Sequence, residues 1–208
     1  MRWSDEGYVV SIISSKENSS IIKVFSKNYG CYSGIFYGSS SKKKKADMQL
    51  GNKVKINYNS KSEDSLGYFT LELIENTSIK FFNDNIKLNL LITSIEVISK
   101  VMPERQKYLE CYADFNNFIR ELKDDSLKSY LVWEFNFLKN IGYGLDFSEK
   151  NFDEKTKDLL QRKIVDFSFN DLKIIFNLNN EIINNRLVDI INISNFKNRK
   201  KIFKYFNE

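Results

Sequence analysis

Glycine placement constrains this chain more than any other feature. Six of its eight glycines, Gly7, Gly30, Gly34, Gly38, Gly51 and Gly67, fall in the first third of the sequence, at or between short apolar runs. Those runs are Tyr8 to Ile13 (YVVSII), Ser20 to Phe25 (SIIKVF), Ile35 to Tyr37 within GCYSGIFYG, Val54 to Tyr58 (VKINY) and Tyr68 to Ile74 (YFTLELI). All are rich in β-branched or aromatic residues, and the last two alternate with the period of half-buried strands. Glycine suits the turns and bulges between them. Five short strands predict a small barrel: the OB-fold is the common five-stranded one that binds oligonucleotides, and a small SH3-like barrel fits the same pattern.

From Asp84 the apolar period becomes helical. Asp84 is expected to cap a helix with Leu88, Leu91, Ile92, Ile95 and Ile98 on one face. Pro103, the only proline, is expected as first residue of the next helix, with Glu104 in its first turn, followed by Leu109, Tyr112, Phe115, Phe118, Ile119 and Leu122 on one side. A third helix is predicted from Leu127 to Ile141, stopping at Gly142-Tyr143-Gly144. Three more are predicted over Asp153 to Val165, Asn170 to Ile193 and Phe196 to Phe206. The fold class is therefore α+β, with a five-stranded OB-fold barrel over residues 1–80 and an all-α helical domain over 81–208.

Composition excludes several chemistries. The chain has no histidine, so it lacks Ser-His-Asp and Cys-His catalysis, histidine-ligated metal and an imidazole base. Cys31 and Cys111 cannot supply a four-thiolate zinc site, and so few cysteines fit a reducing compartment. Asp5 and Glu6, adjacent in a strand, point to opposite faces. Asp124 and Asp125 read as a helix end and cap, and Asp153, Glu154 and Asp158 as an acidic first turn, so no set has the spacing of a two-metal nuclease. Nor is there a Walker-type phosphate loop. No enzyme activity, cofactor or metal is expected. The MRWSDEG start lacks a signal-peptide pattern, and Ile86 to Val101 is broken by Lys87, Glu96 and Lys100, short of the roughly 20 apolar residues of a membrane span. A cytoplasmic protein without a membrane partner is expected.

The net charge of +5 is unevenly placed. Residues 1–80 hold 12 Lys+Arg against 8 Asp+Glu, residues 81–196 hold 15 against 18, and residues 197–208 hold 5 against 1. Two basic poles around an acidic middle suit an anionic partner, nucleic acid first, although a Lys-rich surface also serves simple solvation. The SSSKKKK stretch, Ser39 to Lys45, cannot place four lysines on one strand face and is read as a flexible cationic loop between the third and fourth strands. Lys42, Lys43, Lys44 and Lys45, with Lys53, are the candidate phosphate contacts; each phosphate neutralised on a single strand adds roughly −0.7 to the salt slope of log K. Tyr29, Tyr32, Phe36 and Tyr37 offer stacking faces for bases unless they alternate into the barrel core. In the last stretch, Phe196, Ile202, Phe203 and Phe206 share one side and Lys197, Arg199, Lys200, Lys201 and Lys204 the other. Such a helix docks its apolar face on its own domain and leaves its basic face to solvent, DNA, an acidic peptide or a membrane surface.

Several motifs resemble the RecO family. WSDEGYVVS, the Gly30, Gly34 and Gly38 ladder, LGNKV at Leu50 to Val54 and LGYFTLE at Leu66 to Glu72 resemble its N-terminal OB-fold domain. MPER at Met102 to Arg105 and VWEFNFLKNIGYGLDF at Val132 to Phe147 resemble its helical domain. The resemblance implies a recombination mediator of RecF-pathway gap and double-strand-break repair. Such a protein binds single- and double-stranded DNA near the nucleoid, anneals complementary strands and helps load recombinase with RecR, without nucleotide or catalytic residues. It also implies a partner in the acidic tail of the single-stranded DNA-binding protein, for which Arg105, Lys139, Arg199, Lys200 and Lys201 are the candidate cationic rim. Many members follow Gly-Leu-Asp with the first cysteine of a four-cysteine zinc module. Here Phe147-Ser148-Glu149-Lys150 follows, so the module is expected to be lost and Cys31 and Cys111 to be buried small hydrophobes. The alternative reading is an RNA-binding OB module joined to a helical protein-interaction domain.

Overall fold

The first strand shows why the leading apolar run YVV does not alternate. In a computed structural model, β1 (Arg2–Lys16) places Val9 inside a barrel while Tyr8 and Val10 are buried on the outside against helices. A strand covered on both faces reads as a continuous apolar run. The structure describes residues 1–16, 18–122, 125–144, 168–187 and 196–207. Shifts of register between Val9 and Ser11 and between Ser14 and Lys16 mark bulges in β1. Its first half pairs with β4 (Lys53–Asn59) and its second with β2 (Ser19–Ser26). With β3 (Gly30–Tyr37) and β5 (Gly67–Glu75) the strands close in the order β1-β2-β3-β5-β4. Every pair is antiparallel except β3 with β5. Of the two barrels the sequence allowed, this Greek-key closure is the OB-fold.

The barrel interior holds Trp3, Val9, Ile22, Val24, Tyr32, Phe36, Val54, Ile56, Tyr58, Phe69 and Leu71. Outside it, Tyr8, Val10, Phe25 and Cys31 join a second core with the helices. The Tyr8 ring meets Phe115 edge-on at 4.9 Å, and Phe25 meets Tyr112 at 5.5 Å. Each such fully buried side chain contributes roughly 1.5 to 3 kcal/mol, so the barrel and the helices stabilise each other.

The lysine stretch is a correction to the sequence reading: it is the helix α1 (Lys42–Asp47), not a flexible loop. Ser41 caps it, its side chain accepting from the Lys44 N–H at 3.3 Å, and lysine and alanine favour helix once a cap is present. Buried Asn52 donates to the Ala46 carbonyl at 2.7 Å and anchors the far end. The short turn α2 (Thr77–Lys80) leads to α3 (Asn85–Val101), whose first amides are accepted by Asp84 as expected.

Pro103 is a second correction. It starts no helix; residues 102–108 form a connector laid along the barrel, and α4 begins at Leu109 (Leu109–Glu121). Glu104 bridges to Cys31, the Arg105 N–H donates to the Cys31 carbonyl at 2.8 Å, and Arg105 takes a positive φ of 60°. Gly30, at φ 74°, sits where any Cβ would collide with the Gln106 backbone. Pairing with the strand edge outweighs the proline's helix-starting preference. Next come α5 (Ser126–Leu138), which runs into a π-turn at Lys139–Tyr143, and α6 (Phe169–Arg186), entered through a Ser168–Asp171 capping box. The last stretch forms two short turns, α7 (Arg199–Ile202) and α8 (Lys204–Asn207), where the sequence predicted one helix. The expected helix at Asp153 to Val165, the end of the one expected through Ile193 and the Phe147 to Lys150 segment lie outside the described residues.

Candidate nucleic-acid interface

The candidate residues gather at the barrel rim where β3 ends. Gly38, at φ 79°, turns the chain so that Lys44 folds back: its Nζ donates to the Tyr37 carbonyl at 2.9 Å and lies 5.7 Å from the centre of the Phe36 ring. Lys44 therefore pins α1 to the rim although it is itself exposed, as are Lys42 and Lys45. The Lys43 side chain lies outside the described atoms. Lys53 is elsewhere, in a cleft of about 630 Å³ between the barrel and α4, with its Nζ 3.4 Å from Glu6. Lys27 also reaches Glu6, and Lys80 pairs with Glu75 across the same cleft. All three pairs lie within the first 80 residues, and with Arg120 of α4 the cleft lining holds four cations, Lys27, Lys53, Lys80 and Arg120, against two carboxylates, Glu6 and Glu75.

The four aromatic residues suggested by the sequence separate cleanly. Tyr32 and Phe36 point into the barrel, and Tyr29 stacks on Trp3 with centroids 4.3 Å apart. Tyr37 faces solvent, 56% exposed, and beside it stands Tyr68, 44% exposed, which the sequence reading missed. The signal was present, because the alternation of β5 puts Phe69 inside and hence Tyr68 outside. The two rings lie 6.4 Å apart at 57°, and the Tyr68 hydroxyl accepts from the Asn59 amide at 2.9 Å. Arg2 and Lys61, both exposed, line the same groove of about 650 Å³.

The second basic pole behaves differently from its sequence reading, which put Arg199 on the open face. Arg199 is only 4% exposed: Nε and Nη2 donate to the two Glu134 oxygens at 2.7 and 2.9 Å, and Nη1 donates to Asn180 at 2.6 Å. Burial works against its charge, but the Glu134 carboxylate more than offsets this and holds the guanidinium protonated. Glu134 also accepts from the Tyr130 hydroxyl at 2.6 Å and the Asn179 amide at 3.0 Å. Glu96 accepts the backbone N–H groups of Lys197, Asn198 and Arg199 at 3.0 to 3.2 Å. Phe196, Ile202 and Phe206 are buried, as the amphipathic pattern predicts, but Phe203, expected on the same side, is 38% exposed with its ring edge against Phe176; Lys197, Lys200, Lys201 and Lys204 are exposed. Neither Glu96 nor Glu134 was singled out by sequence, although Tyr130 and Glu134, four apart on an apolar face, form a polar pair that needed a partner.

The five cations proposed as one rim occupy separate environments. Arg105 lies over Tyr32 and donates to the Glu63 carbonyl on the barrel, Lys139 is exposed in the turn after α5, and Arg199 is in the core. Cys31 and Cys111 are free and fully buried, and burial pushes both thiols up to about 12, so they stay protonated at neutral pH. Among the described residues no group of three or more Cys, Asp or Glu is placed to hold a metal ion, and no helix is long and apolar enough to cross a membrane.

Comparison with known proteins covers both parts of the chain. The family models described as Recombination protein O N terminal and Recombination protein O C terminal match residues 1–77 and 84–160. A DNA repair protein RecO of Wolbachia pipientis subsp. Culex pipiens is 26% identical over 219 residues, spanning 99% of this chain and 90% of the relative. That of Ehrlichia chaffeensis is 30% identical over 151 residues, 71% of this chain and 61% of the relative. That of Rickettsia canadensis is 32% identical over 160 residues, 76% and 66% respectively.

Proposed function

The chain belongs to the RecO family, and from that membership we propose that it is a DNA repair protein acting as a recombination mediator. It binds single- and double-stranded DNA, anneals complementary strands, and helps load recombinase together with RecR and the single-stranded DNA-binding protein. The observation that carries this reading is the capped lysine helix pinned to an OB-fold rim with Lys42 and Lys45 exposed. Annealing requires two mutually repelling strands to be held while their base edges stay free to pair. Cations that contact phosphate do this, because they fix the backbone without reading sequence. Charge placement alone serves the task, and no catalytic residue is assigned.

The acidic tail of the single-stranded DNA-binding protein is assigned to the helical domain, with Lys200 and Lys201 as its cations in place of the buried Arg199. A fluorescent tail peptide should bind the wild-type chain and bind Lys200→Ala/Lys201→Ala more weakly; equal binding rejects those residues.

The main test is a strand-annealing assay over a salt series, with and without the single-stranded DNA-binding protein. Acceleration of annealing that declines with salt is expected. Preference for structured RNA with no annealing would instead establish an RNA-binding module.

A further inference from the structure

We propose that Tyr37 and Tyr68 form a base-stacking platform, flanked by Arg2 and Lys61, through which the barrel selects unpaired over duplex DNA. This rests on the DNA-binding reading above and assigns it a second set of residues with a different chemistry from the lysine helix.

A single exposed tyrosine is ordinary on a protein surface. Here two meet on adjacent, parallel strands: Phe36 pairs with Phe69 inside the barrel, so Tyr37 and Tyr68 both point outward, Tyr68 level with Ile35 and diagonal to Tyr37. Their 57° tilt and 6.4 Å separation keep them from stacking on each other, which leaves ring faces available to other π systems. The Asn59 amide holds the Tyr68 hydroxyl at 2.9 Å, so that ring is set in place before any ligand arrives and loses little freedom on binding.

Cations bracket the pair. Register puts Arg2 opposite Asn59 and Asn59 opposite Tyr68, so Arg2, Asn59 and Tyr68 form one row across three strands of the outer face. Lys61 follows in the loop after β4, and the lysine helix begins just beyond Tyr37. Phosphates on either side of a stacked base thus meet positive charge. Aromatic faces between cations are the arrangement by which OB-folds hold single strands, with the β4–β5 loop as part of the ligand face. Bases in a duplex have their faces occupied by neighbouring bases and cannot reach the rings, whereas phosphate contacts are open to both forms.

The test measures affinity for an unstructured oligonucleotide and for a blunt duplex at one salt concentration, using the wild-type chain and Tyr37→Ala, Tyr68→Ala, Tyr37→Phe and Tyr68→Phe. Stacking is worth about 1 to 3 kcal/mol per base, so each alanine variant should lose about 5- to 150-fold for the single strand. Duplex affinity should change less than about twofold, and the phenylalanine variants should keep most of the single-strand affinity. Alanine variants that bind single strands as tightly as wild type, or that lose single- and double-strand affinity together, would overturn the platform. A wild-type chain that binds neither DNA would overturn the DNA-binding reading itself.

Discussion

At one end of the molecule, residues 1–80 carry four excess positive charges and display Lys42 and Lys45 on the rim of a barrel. At the other end, residues 197–208 carry the same excess but sink Arg199 into a carboxylate and hand three backbone amides to Glu96. Equal charge counts therefore do unequal work. In the first pole the cation that is tied down, Lys44, fastens the helix that presents its neighbours. In the second, the cation that is tied down is central to the helical core, and it joins α5, α6 and α7 through Glu134 and Asn180.

Arg199→Ala is expected to have the largest effect on stability. It leaves Glu134 buried and charged without its cation, and removing one partner of such a pair costs about 3 to 5 kcal/mol. Denaturant unfolding should show that loss, whereas Lys204→Ala should stay within about 0.5 kcal/mol of wild type. Similar values for the two variants would abolish the distinction between latch and surface. Glu96→Ala removes the acceptor for three amides at the entry to the last turns, a cap-like loss of about 1 to 2 kcal/mol. Amide hydrogen exchange should speed up at Lys197, Asn198 and Arg199 while the barrel strands keep their protection; uniform loss across the chain would argue against a local latch.

What was legible in the sequence follows from how local each signal is. The barrel strands could be read because alternation and glycine turns act within a few residues, and Asp84 because a cap acts within one helical turn. The lysine helix also had local signals, the Ser41 cap and Ala46, but four lysines that cannot share one strand face pointed to a loop when strand and loop were the only alternatives compared. Pro103 misled because its effect was decided by a strand edge far away in sequence, at Cys31. The role of Arg199 was invisible for the same reason: its partner Glu134 is 65 residues distant, and a helical pattern alone puts every arginine of a basic face in water. Tyr68 could have been found, since alternation places it outward. Its meaning came only from Tyr37 and Asn59 beside it.

The smallest change in stability should accompany the most informative change in binding. Lys42→Ala/Lys45→Ala alters two exposed side chains and should leave the unfolding midpoint where it is. The direct measurement is the salt dependence of single-stranded DNA affinity for this variant against wild type. Loss of two phosphate contacts should weaken binding and reduce the magnitude of the slope of log K against log salt by about 1.4. An unchanged slope and affinity would contradict the assignment of the lysine helix as the DNA surface.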